Sequence, residues 1–267
     1  MTVLLSAWSA VRTAVVGMLH LPPLPGAPRC DCDLRAIREH VLRDADALVS
    51  AGVHGLLLEN FGDAPFFPRG VPAYVVAQMT HLAGEVRRRF DLPLGINVLR
   101  NDGCGALAVA HAVGAEFIRV NVLCGVRVTD QGLIEGIAHE LLRERVLLGA
   151  QHVQVLADVV VKHSTPLGPP PAIENEVGDT LRRGGADGVI VSGWGTGQAA
   201  DPEHVRRAKS VAGGAPVLVG SGVTPENART FLPHADGFIV GTALKVDGVP
   251  GHPVDPARVR ALMAAVA

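Results

Sequence analysis

Residues 215–245 read APVLVGSGVTPENARTFLPHADGFIVGTALK. Two short apolar runs, Pro216–Val219 and Gly237–Val240, each end in glycine and a small hydroxyl residue. The first closes as Gly220-Ser221-Gly222 and the second as Gly241-Thr242. After the first, Thr224 is expected as a helix N-cap, with Pro225 at the first helical position and Glu226 in the first turn. Glycine lets a backbone approach a ligand closely, and a helix start aims unpaired N–H groups at it. One such turn is an ordinary strand-to-helix connection. Two in tandem near the end of the chain predict a neutral phosphate cradle, of the kind found after strands seven and eight of a (β/α)8 barrel.

Working outward, the same unit recurs along the chain. Apolar runs at 13–19, 53–58, 94–98, 116–120, 153–159 and 188–191 precede the two already quoted, which makes eight predicted strands. They are continuous apolar runs rather than alternating ones, as a parallel sheet buried on both faces requires. Helical periodicity follows each run. Asp33, Asp201 and Asp255 stand as caps, the latter two before Pro202 and Pro256. The spacing predicts one (β/α)8 barrel over residues 13–267 after a lead-in at 1–12. A doubly wound sheet would not give eight even units, and the dinucleotide glycine fingerprint is absent after the first strand.

Bulk properties narrow the class. The 267 residues are 48% apolar and 19% charged, enough for one large core. A net charge of −2 and 4% aromatics give no electrostatic or stacking case for nucleic acid. No run approaches the roughly 20 apolar residues of a membrane span. The start lacks a signal-peptide pattern, and Cys30, Cys32, Cys104 and Cys124 form no disulfide framework, so a cytoplasmic setting is expected. Barrels of this size often associate through helices and loops, so a homo-oligomer is expected as well.

In this fold the chemistry sits at the C-terminal ends of the strands. Polar residues there are His20, Glu59, Asn60, Asn97, Asn121, Asp158, Lys162, His163, Ser192, Thr196, Ser221 and Thr242. Glu59 ends a wholly apolar strand and is a candidate general base, or else a structural cap. If the chain stays extended past Asp158, Lys162 shares its face. The carboxylate would then hold the lysine charged, to stabilise an enolate or oxyanion. A desolvated Lys162 forming a Schiff base is the alternative, and a rim salt bridge the structural one. His20 and His163 are candidate acid–base groups. Asn60, Asn97, Asn121, Ser192 and Thr196 suit hydroxyl or carbonyl recognition, and Trp194 suits stacking on a ring. No cofactor is expected. A divalent metal on His20, Glu59, Asp158 and His163 lacks any close-spaced ligand motif, and Cys30-x-Cys32 has no second pair for zinc. His40, His81 and His111 are expected on helix surfaces.

His20-Leu21-Pro22-Pro23-Leu24-Pro25-Gly26 is a stiff rim loop, with three prolines in four residues. Together with Glu59–Phe66 (ENFGDAPF), Ala157-Asp158-Val159, Lys162-His163, Gly188–Gly197 (GVIVSGWGTG), Val219–Asn227 and Gly241–Lys245, it resembles the BtpA/SgcQ family over about residues 13–265. The resemblance implies a TIM-like barrel. The family's name comes from a role in photosystem I biogenesis in cyanobacteria, and another member is associated with sugar-phosphate metabolism; neither role fixes the chemistry of this chain. The expected function is an enzyme on a phosphorylated small molecule, a sugar or ribosyl phosphate, with isomerase or lyase chemistry. The alternatives are a glycosyl-transfer or nucleosidase reaction and a non-catalytic assembly factor.

Overall fold

The computed structural model describes residues 5–31 and 33–267, so Met1 to Leu4 and Cys32 lie outside the described residues. The chain forms β1 (Ala14–His20), α1 (Leu34–Ser50), β2 (Gly55–Glu59), α2 (Ala73–Arg89), β3 (Leu94–Asn97), α3 (Gly103–Val113) and β4 (Phe117–Val120). A hairpin follows, β5 (Val126–Thr129) and β6 (Gly132–Glu135), then α4 (Ala138–Leu147), β7 (Gln154–Val159), β8 (Ser164–Pro166), α5 (Ile173–Gly178) and β9 (Gly188–Val191). The chain ends with α6 (Pro202–Val211), β10 (Val217–Val219), α7 (Ala228–Phe231), β11 (Gly237–Val240) and α8 (Pro256–Val266). Eight strands close a parallel barrel in the order β1-β11-β10-β9-β7-β4-β3-β2. The expected (β/α)8 architecture is therefore the observed one.

Strand alternation sorts each strand's side chains into two cores. Val15, Leu19, Ile96, Ile118 and Val155 face outward onto the helices. Met18, Leu57, Phe117, Leu156, Ile190, Leu218 and Ile239 fill the barrel. Trp8, from the lead-in, packs edge-on against Phe117 at 6.0 Å and donates its indole N–H to the His54 carbonyl at 2.7 Å. Leu5 and Trp8 of the lead-in thus join the barrel core. Asp33, Asp102, Asp201 and Asp255 cap their helices through side-chain oxygens.

Two expectations are corrected. Thr224 does not cap a helix. Residues 224–227 form a turn in which Thr224 N–H donates to Asn227 Oδ1 at 2.8 Å, and α7 begins only at Ala228 and lasts four residues. The expected loop at 124–132 instead carries β5 and the start of β6, and β8 joins them in an antiparallel sheet on the rim. Its strands are only 3–4 residues long, too short for their alternation to stand out.

Candidate active site

The residue two positions beyond each barrel-filling apolar side chain stands in the layer above it, at the mouth. His20 follows Met18, Glu59 follows Leu57, Arg119 follows Phe117, Asp158 follows Leu156 and Ser192 follows Ile190. Gly220 and Gly241 follow Leu218 and Ile239, so on that side the layer holds no side chains. A Cβ at Gly220 would lie 2.3 Å from Ile190 and 2.9 Å from Ser192 Oγ, and one at Gly241 would lie 2.7 Å from the His20 ring. Register places His20, Glu59 and Asn97 side by side on adjacent strands.

The glycine side opens a cavity of about 540 Å³ lined by residues 220–226, 239–243, Arg119, His20, Lys162 and Thr196. Among the described residues, the N–H groups of Ser221, Gly222, Val223, Gly241, Thr242 and Ala243 have no protein acceptor. Ser221 Oγ accepts the Gly193 N–H at 2.6 Å, which holds the loop after β9 against the cradle. Gly222 takes a positive φ of 65°, and a Cβ there would strike Ala199 at 2.2 Å. Only a four-residue helix and a three-residue turn follow these loops, so their N–H groups are set by local loop geometry rather than by a helix macrodipole.

A second cavity, of about 670 Å³, adjoins the first and shares His20, Lys162 and Thr196 with it. Its wall includes Pro22, Pro23, Phe61, Phe66, Glu59, Arg100 and His163. The proline loop is seated by Gly62, where a Cβ would meet Pro23 N at 2.3 Å, and Asp63 accepts the Leu24 N–H at 2.8 Å.

The charges at the mouth are not paired as the sequence suggested. Asp158 accepts from Arg119 (3.1 Å from Nη2) and from Asn121 (2.7 Å), not from Lys162. The chain leaves the extended line at Val160, whose φ is 52°, so Lys162 does not follow Asp158 on one face. Glu176 holds that turn by accepting the Val160 N–H at 3.0 Å, and it also pairs with Arg127. Lys162 has no salt-bridge partner among the described residues. Burial and the Arg119 guanidinium push its ammonium down to about 8, with Glu59 and Asp158 pulling the other way.

His20 stacks on Phe61 at 4.4 Å, and its Nε2 lies 3.8 Å from Glu59 Oε1. Burial, with Lys245 and Lys162 nearby, lowers it to about 3, so it is neutral at pH 7. Its Nδ1 faces the Pro250 carbonyl at 3.4 Å. A carbonyl only accepts, so Nδ1 carries the proton and Nε2 presents a lone pair. Glu59 is buried, and its Oε2 has no hydrogen-bond partner. His163 Nε2 accepts the Thr196 N–H at 3.1 Å.

Asn60, Asn97 and Asn121 line neither cavity. Asn60 ties Asp63 to the Leu99 backbone, and Asn97 donates to the Arg119 carbonyl. Ser192 faces Arg119 at 3.4 Å. Trp194 is 66% exposed and lies outside both cavities. His40 is not a surface group: it is half-buried 3.5 Å from Asp44 and lines the second cavity. Among the described residues, no three His, Cys, Asp or Glu side chains gather as metal ligands.

Sequence reading missed Arg119 and Arg100. Arg119 was visible as the one charge inside the apolar run FIRV. Arg100 carried no comparable signal.

The BtpA family profile matches residues 11–267. The chain belongs to the BtpA family. This BtpA-family chain is 47% identical over 253 residues to the photosystem I biogenesis protein BtpA of Synechocystis, covering 95% of this chain and 88% of that one. It is also 47% identical to an uncharacterized protein of Pyrococcus furiosus, covering 94% of each. In fold, the BtpA-family barrel is similar to a native KDPGal structure (TM-score 0.58, 15% identity, 94% and 93% covered). It is similar too to phosphoribosyl anthranilate isomerase from Thermus thermophilus (TM-score 0.55, 13% identity, 95% and 98% covered).

Proposed function

We propose that this barrel is an enzyme acting on a phosphorylated small molecule, with isomerase- or lyase-type proton transfer beside a carbonyl. The observation that carries the reading is the pair of adjoining cavities: one is ringed by six backbone N–H groups without protein acceptors, and both open onto Lys162 and His20. Backbone N–H groups recognise a phosphate ester without a counter-charge of their own. With the phosphate at residues 221–223 and 241–243, the rest of the molecule reaches Lys162 and Glu59. Glu59, with one unpartnered oxygen, takes the proton α to the carbonyl. The Lys162 ammonium stabilises the enolate oxygen that develops. His20, neutral and with a lone pair at Nε2, accepts a hydrogen bond from a substrate hydroxyl and orients it, while Glu59 returns its proton to the neighbouring carbon. Arg119 keeps Asp158 from competing for Lys162. The fold neighbour named an isomerase of a phosphoribosyl compound supports the substrate class.

The name of the Synechocystis relative supports a second reading, an assembly factor that uses the barrel as a scaffold.

One experiment separates the two. Wild type should melt later in the presence of inorganic phosphate and ribose 5-phosphate, by mass action on the native state. Thr242→Asp, which places a charge in the cradle, should abolish that shift. Carbon-bound hydrogen exchange in D2O, followed by NMR over a panel of phosphorylated aldoses and ketoses, should be lost in Glu59→Gln. No shift with any phosphate compound and no exchange would leave the scaffold reading standing alone.

A further inference from the structure

The second cavity contains a charge that the proposed chemistry does not use. Arg100 is 4% exposed. Among the described residues, its guanidinium has one acceptor, the Lys162 carbonyl, 2.5 Å from Nη2. No carboxylate pairs with it among the described residues, whereas Arg119 is matched by Asp158 at 3.0 Å and Lys245 by Asp44 at 2.5 Å. A buried guanidinium with unused donors is costly unless an anion completes it.

The local charges do not cancel either. Once those two pairs are set aside, Arg29, Arg100 and Lys162 face Glu59 and Asp130 around the second cavity, which leaves one positive charge on its lining. Burial pushes Arg100 below its ordinary value, and the Asp158 and Glu59 charges draw it back. The Leu99 N–H is held by Asn60 Oδ1 at 2.7 Å and the Arg100 N–H donates to the Phe67 carbonyl at 3.1 Å, so the side chain is presented from a fixed backbone.

We propose that Arg100 anchors a carboxylate on the substrate, so that the molecule bound here is anionic at both ends: a phosphate ester in the glycine cradle and a carboxylate in the second cavity. This rests on the phosphate reading above and narrows it to phosphorylated acids. A carboxylate suits the site better than a second phosphate. One planar guanidinium fork matches its two oxygens, whereas Glu59 on the same wall opposes a dianion. The apolar wall of Phe61, Phe66, Pro22 and Pro23 packs against the carbon chain and keeps water from the pair.

The test is calorimetric, on the full-length protein. The probes are inorganic phosphate, glucose 6-phosphate, 6-phosphogluconate (the same phosphate with a terminal carboxylate) and fructose 1,6-bisphosphate. Wild type should bind 6-phosphogluconate about tenfold more tightly than glucose 6-phosphate, the size of one charge-assisted contact. It should also prefer it to the bisphosphate. Arg100→Met, which keeps length and apolar bulk, should erase the preference and leave the Kd for inorganic phosphate unchanged. Equal binding of the two hexose compounds, tighter binding of the bisphosphate, or a preference that survives in Arg100→Met would overturn the carboxylate anchor while phosphate binding stands. If no probe binds, inorganic phosphate included, the cradle reading fails first and this one with it. The wild-type comparison needs no variant, so equal binding of the two hexose compounds or tighter binding of the bisphosphate overturns the anchor even if Arg100→Met does not fold.

Discussion

Two lysines stand at the mouth of this barrel in opposite circumstances. Lys245 follows the short turn that carries Thr242 and is fully buried. Its ammonium meets Asp44 of α1 at 2.5 Å, and Asp44 also accepts the Val254 N–H at 2.9 Å. That carboxylate clamps the chain on both sides of the 246–253 loop. Lys162 sits between the two cavities without a salt bridge among the described residues, and its pKa is depressed to about 8. Burial depresses both lysines, but only Lys245 has a carboxylate bonded to it in return. A paired buried charge holds a loop, whereas Lys162, at a cavity, keeps its ammonium without a carboxylate partner among the described residues.

The contrast can be broken at either lysine. Lys162→Met should lower turnover by about 10²–10³-fold, the usual cost of one electrostatic stabiliser, with the fold intact by circular dichroism. The accompanying pH profile has a definite sign. Lys162 titrates near 8 when folded, against an ordinary 10.5, so the unfolded chain binds more protons between those values. Its penalty on stability is therefore present below pH 8 and relieved as the pH rises toward 10.5. Denaturant titrations should show that rise in wild type and not in Lys162→Met. If the ammonium is the working form, kcat/KM falls above about pH 8. A rate that climbs through pH 8, with borohydride trapping of a carbonyl substrate, would replace electrostatic stabilisation by a Schiff base.

Lys245→Met should act in the opposite sense, costing about 3–5 kcal/mol of unfolding free energy because Asp44 is left buried without its ammonium partner. Adding Asp44→Asn should restore much of it. Costs that simply add in the double variant would show that the pair is not the lock described here.

The smallest effect sharpens the boundary of the site. Trp194→Ala should change KM by less than about twofold, as expected for a surface change worth within ~0.5 kcal/mol. A larger rise would return the indole to the substrate, as first expected from its glycine-flanked position.

Much of the site was legible because barrel positions repeat. His20, Glu59, Asp158 and Ser192 each stand two residues past a barrel-filling side chain, and a strand's period of two carries that information locally. Gly220 and Gly241 were legible for the same reason, as the places where that layer has no side chain. Helix caps at Asp33, Asp201 and Asp255 were equally local. Thr224 misled because its motif is a good helix start, while the segment before β11 leaves room for a single helical turn.

What only the tertiary structure decided is who meets whom. Asp158 and Arg119 are 39 residues apart in sequence, and they pair because β4 and β7 are neighbours in register. Lys162 lost its expected carboxylate to that guanidinium and to the left-handed turn at Val160. Arg100 is buried beside Lys162 by a loop whose course no periodicity specifies. The sequence by itself determined the eight units, the glycine turns and the polar strand ends, since these follow from spacing along one segment. The pairing of charges, and hence which ones remain free for a ligand, depended on distances between segments that only barrel closure sets.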